Sequence, residues 1–368
     1  MSSKLIVNTI RHTGASSDAV TLASDGTCTA NLTNKPNRNL IINGAMQVAQ
    51  RGTSSTTTNA YTIDRFSFEF NGVGVTVTNS QQSLSSSDTP FTKGFRKFNR
   101  IALASAGTAG AGNYILFEHR LEAQDVANSG WNYTDANSFI TVSFWAKAST
   151  SQTYGLSFES EDGTAQLYPK TFSLTANTWT KITQSIPGNS NLQFDDNNNI
   201  GARFKIYPYL GTTYSGGTDN TWAARSALGY GSMGNQSAWL TAGASTFDVT
   251  GVQLEVGSVA TDFEHRSYGQ ELALCQRYCV VDVTSRNWYN ASGQNVYDYQ
   301  LISWPTTMRA TPTITYGSNV EMTNVNTSGG VNGHGAAYVT TSGWNYSPLS
   351  NSTGNTTGRV NYTASCEL

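Results

Sequence analysis

Residues 140–148 read ITVSFWAKA. Ile140, Val142, Phe144 and Ala146 alternate with Thr141, Ser143, Trp145 and Lys147, so a pleated strand lays the first set on one face and the second on the other. Similar runs stand at 64–70 (DRFSFEF), 99–105 (NRIALAS), 113–121 (NYILFEHRL), 202–210 (ARFKIYPYL) and 246–256 (TFDVTGVQLEV). Turn clusters such as SSSDTP, GTAGAG, ESEDGT and FDDNNN separate the runs. Many strands, many turn signals and few helical patterns predict an all-β chain built around a β-sandwich.

Composition agrees. Charged residues are 12% of the 368, against roughly 25% in ordinary domains. Gly, Ser, Thr and Asn take up the difference, and aromatics reach 11%, which a disordered chain lacks. A net charge of −2 provides no long-range attraction for nucleic acid or an anionic membrane. No apolar run reaches the length of a membrane-spanning helix, and the first residues show no apolar leader segment.

The chain divides into four segments. Residues 1–36 carry two short strand patterns, KLIVNTI and AVTLASDG, too little to bury a core alone. Residues 37–267 hold the sandwich, residues 268–280 one short linking helix, and residues 281–368 a second β domain with long Asn-, Thr- and Gly-rich loops. Cys275 and Cys279, four apart in QELALCQRYC, fall on one helical face with Leu272, which predicts thiols buried at an interface rather than a zinc site.

Chemistry-bearing motifs are few. GYGSMG at 229–234 matches G-x-G-x-x-G but no helix pattern follows, so a glycine-rich turn is expected. Carboxylates cluster at Glu118 and Glu122, at Glu159, Glu161 and Asp162, and at Asp195 and Asp196. A polysaccharide-cleaving enzyme needs two of them facing across a cleft. Most sit in turn-like stretches, where solvated carboxylates are routine, and no nucleophile elbow or metal motif accompanies them. The loop FDDNNN offers Asp195 and Asp196 as oxygen ligands for a structural Ca²⁺. No other cofactor is expected.

Aromatics remain. Tyr207 and Tyr209 share one face by alternation, which favours core or inter-subunit packing. Tyr214, Trp222, Trp288, Tyr289 and Trp344 lie in loop-rich or strand-edge stretches and are the residues expected to stack on a sugar; for Trp222 core packing is an equal alternative.

Residues 38–66 (RNLIINGAMQVAQRGTSSTTTNAYTIDRF) now gain a context. This stretch, with FEHRLEAQDV, ITVSFWAKAS and FDVTGVQLEVGSVATDFEHRSYGQELALCQRYC, resembles the fibre domains of bacteriophage tail-fibre and virion structural proteins, notably marine ones. Residues 38–280 resemble a carbohydrate-binding-module-like jelly roll followed by a short helix. SWPTTMRATPTITY and NYTASCEL resemble the C-terminal domain of such fibres, and residues 3–27 resemble a virion-docking stub. The resemblance implies a non-enzymatic virion protein, assembled in the bacterial cytoplasm. It implies a homotrimer that meets other virion proteins through residues 1–36 and a host-surface glycan or protein through its distal residues 281–368. Leu272, Cys275 and Cys279 are the expected trimer-interface residues. A decoration or adaptor that binds no receptor is the alternative. In either role residues 39–46 are expected to start the sandwich, Gly44 and Gly52 to make turns, and Asp64 and Arg65 to pair or cap a loop.

Overall fold

The computed structural model describes residues 7–11, 13–14, 18–22, 24, 28–30, 37–226, 236–293, 295–326, 333–350 and 352–368. The chain is all-β. Two antiparallel sheets stack face to face over residues 54–256. One has six strands, in the order Thr180–Pro187, Phe139–Ala148, Thr246–Val256, Lys97–Leu103, Val77–Ser83 and Ser54–Ser55. The other has seven: Ala223–Ala224, Gln166–Leu174, Gln152–Ser160, Ile200–Leu210, Tyr114–Glu122, Phe66–Asn71 and Ala60–Ile63.

The alternation at 140–148 sets the core. Ile140, Val142, Phe144 and Ala146 are fully buried between the sheets, and Phe144 meets Phe172 and Phe204 of the opposite sheet at ring-centroid distances of 5.4 and 6.0 Å. Trp145 points the other way, into a small outer cluster with Phe98 and Trp179.

Residues 39–46, expected to start the sandwich, put Ile41 and Met46 into its core as a buried loop rather than as a strand. Asn43 (φ 62°) and Met46 (φ 58°) hold left-handed backbone, which a continuing strand excludes. The Asn43 amide replaces the missing ladder by donating to the Val48 and Asp64 carbonyls at 2.8 and 2.9 Å and accepting the Val48 N–H at 2.9 Å. Gly44 is required for close approach, since a Cβ there would lie 2.0 Å from the Val252 carbonyl oxygen. Gly52 makes the expected turn, at φ 108°.

Residues 1–36 contain three short strands among their described residues, Thr9–Ile10, Val20–Leu22 and Cys28–Ala30, in one small sheet. The linking helix is shorter than expected, Tyr268–Gln276, capped by a reciprocal Ser267–Gln270 box. Cys279 therefore begins the strand Cys279–Asn290. Among the described residues, four further helical segments are each about one turn long, the α-helical Thr89–Thr92, Ala123–Ala127 and Ala238–Thr241 and the 3-10 segment Thr212–Tyr214. Among the described residues no helix is long and apolar enough to cross a membrane.

Past the helix, the strands Cys279–Asn290, Gly354–Ser365 and Thr313–Thr323 make one sheet, in that order. Gly343–Ser350 pairs with Val296–Tyr297, Gln300–Ser303 and His334–Ala337 in another. Trp304, Met308, Trp344, Tyr346, Val360 and Tyr362 fill the space between them.

Candidate functional site

Three regions concentrate chemistry. The first is the outer face of the seven-stranded sheet. Leu121, Leu156, Phe158, Phe204 and Ile206 point into the core, so by period two Glu118, Arg120, Ser157, Glu159, Arg203 and Lys205 point out. Lys205 Nζ donates to Glu159 at 3.0 Å, Arg203 to Glu118 at 3.0 Å and Glu161 at 2.5 Å, and Arg120 to Glu69 at 3.1 Å. Arg225 joins Glu159 at 3.3 Å and Glu161 at 3.0 Å. Four carboxylates thus face four cations. Burial pushes the Glu118 carboxyl up, but Lys205, Arg120 and Arg203 outweigh it and hold it below the ordinary range. Such a group stays ionised and is unsuited to donate a proton at neutral pH.

These carboxylates differ from their sequence reading. Glu118 lies in the strand expected at 113–121, and it, Glu122 and Glu159 are buried in strands rather than solvated. Glu122 is occupied by Arg277 at 2.7 and 2.8 Å and by the Tyr278 hydroxyl at 2.5 Å. Asp162, raised by burial, accepts the Asp195 amide at 2.9 Å and anchors its loop. Asp195 and Asp196 are exposed, and their carboxylates accept from Gln193 and Asn128. Among the described residues no group of three or more His, Cys, Asp and Glu gathers as a metal site.

A β-bulge between Ile206 and Tyr209 breaks the expected alternation. Tyr207 turns outward to Ser157 Oγ at 3.0 Å, while Tyr209 packs in the core and donates to the Gly110 carbonyl at 3.0 Å. Tyr207 joins Leu116 and Leu210, flanked by Tyr114 and Tyr214 in an edge-to-face pair at 6.0 Å. Tyr214 is half-buried at this rim. Trp222 packs on Tyr168 and Phe158 and donates to the Pro187 carbonyl at 2.7 Å, so core packing prevails over its expected role in stacking on sugar.

The second region joins the two β units, and the motif around Gln50–Arg51 and Asp64–Arg65 builds it. Gln50 Nε2 donates to the Cys279 carbonyl at 2.9 Å. Arg51 pairs with Glu367 at 2.8 Å and with Asp64 at 3.5 Å. Arg65, 1% exposed and left-handed at φ 71°, also pairs with Glu367 and lies 3.4 Å from the centre of the Tyr278 ring. Asp64 and Arg65 therefore do not pair with each other; each serves this junction. Cys275 and Cys279 are 0% exposed here, with burial pushing the Cys279 thiol up to about 12. Packed inside one chain, neither thiol can line an inter-subunit contact. Leu272 is half-buried beside them.

The third region is the surface of residues 281–368. Trp344 is 0% exposed and stacks on Trp304 at 6.1 Å, which removes it from the receptor contacts the sequence suggested. Trp288 is half-buried on the strand side that carries the buried Thr284 and Asn290. Its neighbour Tyr289 faces out, 62% exposed. Two exposed tyrosines that sequence reasoning missed join it in this unit. Tyr299 stacks on Tyr297 at 5.7 Å, and Tyr338, 81% exposed, holds φ 51°. A tyrosine in left-handed backbone is a strained choice. The alternating strand pattern gave no sign of either residue, because both follow the ends of short strands. GYGSMG at 229–234 lies outside the described residues.

No protein-family model matches the chain, and no curated protein matches it. Among solved structures, the enzymatically active domain of tailspike protein 4 from bacteriophage CBA120 aligns with 61% of this chain at 12% identity and a TM-score of 0.32; the match spans 22% of the tailspike chain. A family 11 carbohydrate-binding module of a Clostridium thermocellum cellulosomal cellulase aligns with 58% of this chain and 98% of the module, at 11% identity and a TM-score of 0.27. A cyclase from Fischerella sp. TAU aligns with 61% of this chain and 98% of its own, at 10% identity and a TM-score of 0.35. Similarities of this strength assign no function to the chain.

Proposed function

We propose that this chain is a non-enzymatic attachment protein of a phage virion, a homotrimer whose residues 281–368 meet a glycan on the host surface. The observation that carries the reading is the set of exposed tyrosines, Tyr289, Tyr299 and Tyr338, in that unit. Aromatic rings held at a surface present flat apolar faces with a polar tip, which suits a sugar ring and its hydroxyls. The closed ion pairs of the seven-stranded sheet favour binding over cleavage, because its carboxylates are committed to Arg and Lys partners and Glu118 is held below the ordinary carboxylate range.

Binding of the full chain to an array of bacterial surface polysaccharides tests this. Tyr289→Ala, Tyr299→Ala and Tyr338→Ala are each expected to weaken the bound signal, about tenfold for a contact of about 1.4 kcal/mol. Unchanged binding in all three variants overturns the tyrosine surface.

One observation favours a second reading, an adaptor that binds another virion protein. The strand Cys279–Asn290 pairs on one side with Gly354–Ser365, and its other edge has no ladder partner among the described residues. A twelve-residue edge can accept a strand from a partner. Wild-type protein that binds no polysaccharide but captures purified virion tails would replace the first reading with this one.

A further inference from the structure

The large exposed hydrophobic side chains of the jelly-roll unit fall near its C-terminal end, and two of them, Val256 and Leu274, share one shelf. Among the described residues from 37 to 255 there are none, yet Val256, Val259, Tyr268 and Leu274 follow in close succession. Val256 and Leu274 line a groove of about 800 Å³ together with Leu40 and Ile42, and Leu274 continues into an adjoining groove of about 670 Å³ with Phe263 and Ala273. The rim is polar, from Gln124, Asn128 and Ser129. An apolar floor inside a polar rim is the anatomy of a protein contact. The arginines present do not make it an anion site. Arg38 is within 3.8 Å of Glu255, and Arg266 is within 3.5 Å of both Glu264 and Glu271.

We propose that this shelf is where a second copy of the chain docks. Asn37 and Arg38 line both grooves, so residues 1–36 leave the jelly roll from the wall of the shelf. The described strands of that segment form a three-stranded sheet with Ile10 and Leu22 exposed, too small to bury a core within one chain. Copies that associate through residues 1–36 bring their Asn37 residues together and set shelf against shelf. The linking helix takes part through Gln270, Ala273 and Leu274, its exposed side, while Glu271 and Cys275 face inward. The inference rests on the multi-copy part of the proposed function and not on its glycan.

Light scattering after size exclusion, on the full chain, tests it. The wild type is expected at a multiple of 39.6 kDa. Leu274→Asp and Val256→Asp are each expected to return it to a single chain with unchanged far-UV circular dichroism, and Leu301→Asp, on the other β unit, to leave the mass unchanged. A wild type of one chain's mass overturns the proposal, as does an oligomer that both shelf variants leave intact. Polysaccharide binding measured on the same samples separates the two readings: a monomer that still binds through its tyrosines overturns the shelf alone.

Discussion

The jelly roll and the C-terminal unit use their apolar side chains in opposite ways. In the jelly roll one continuous cluster runs from Ile41 to Leu254, and between residues 37 and 255 no large hydrophobic side chain among those described is left exposed. The C-terminal unit buries nine residues in its main cluster while exposing Val283, Tyr289, Tyr299, Leu301, Val320 and Tyr338. A domain that needed those side chains for stability would have turned them inward. Their display, on a small unit held by a buried junction, is the contrast on which the proposed division into a holder and a presenting unit rests.

That junction should give the largest effect. Arg65→Ala leaves Glu367, itself 8% exposed, with one guanidinium fewer, and strips the cation from the Tyr278 ring. Breaking one side of a buried pair costs about 3–5 kcal/mol. Calorimetry is expected to split one transition into two, with the C-terminal unit melting first; a single transition at the wild-type temperature would break the comparison at its hinge.

Next, Trp344→Ala removes the centre of the small core and is expected to cost about 3–5 kcal/mol in chemical denaturation. Tyr289→Ala, exposed in the same unit, should change stability by less than about 0.5 kcal/mol. Similar costs for the two would erase the distinction between the core and the displayed tyrosines.

The third effect depends on pH. Burial first, and then the Arg65 guanidinium, push the buried His119 well below 6.5, so the folded state holds it neutral. The unfolded chain takes up that proton as pH falls through about 6.5. The stability is therefore complete above that value and is lost as pH falls toward the folded pKa, at up to about 1.4 kcal/mol per pH unit. His334 in the C-terminal unit is also lowered by burial and adds the same sign. His119→Gln should flatten the pH dependence of the melting temperature and retain the His334 share. An unchanged slope would show that His119 does not set it.

The fold was legible where a local pattern decides it. The period-two run at 140–148 lays the same residues in the core that it predicts, because a strand buried on both sheets' inner face has no local alternative. Misreadings arose where partners are distant in sequence. Glu118 finds Arg203, and Glu159 finds Lys205, only once their strands are neighbours, so solvated carboxylates were expected where the sheet makes buried pairs. The bulge that parts Tyr207 from Tyr209 is marked in ARFKIYPYL by Pro208, which cannot donate to a ladder, a signal the alternation reading passed over. NLIINGAM was expected to start the sandwich, but the apolar run did not reveal that Asn43 supplies side-chain bonds that let these residues be buried as a loop. The cysteines at 275 and 279 were correctly expected to be buried, but the surface they face belongs to their own chain. Tyr289 was named from the sequence, but Tyr299 and Tyr338 were not, since exposure of one ring among eighteen tyrosines is a property of the folded surface.

The most direct measurement is hydrogen–deuterium exchange of the full chain with and without a polysaccharide identified on the array. Added protection in peptides covering residues 283–301 and 334–339, with none in 114–122 or 203–214, is the predicted result. Protection confined to 114–122 and 203–214 would move the contact to the outer face of the jelly roll and contradict the division between a holder and a presenting unit.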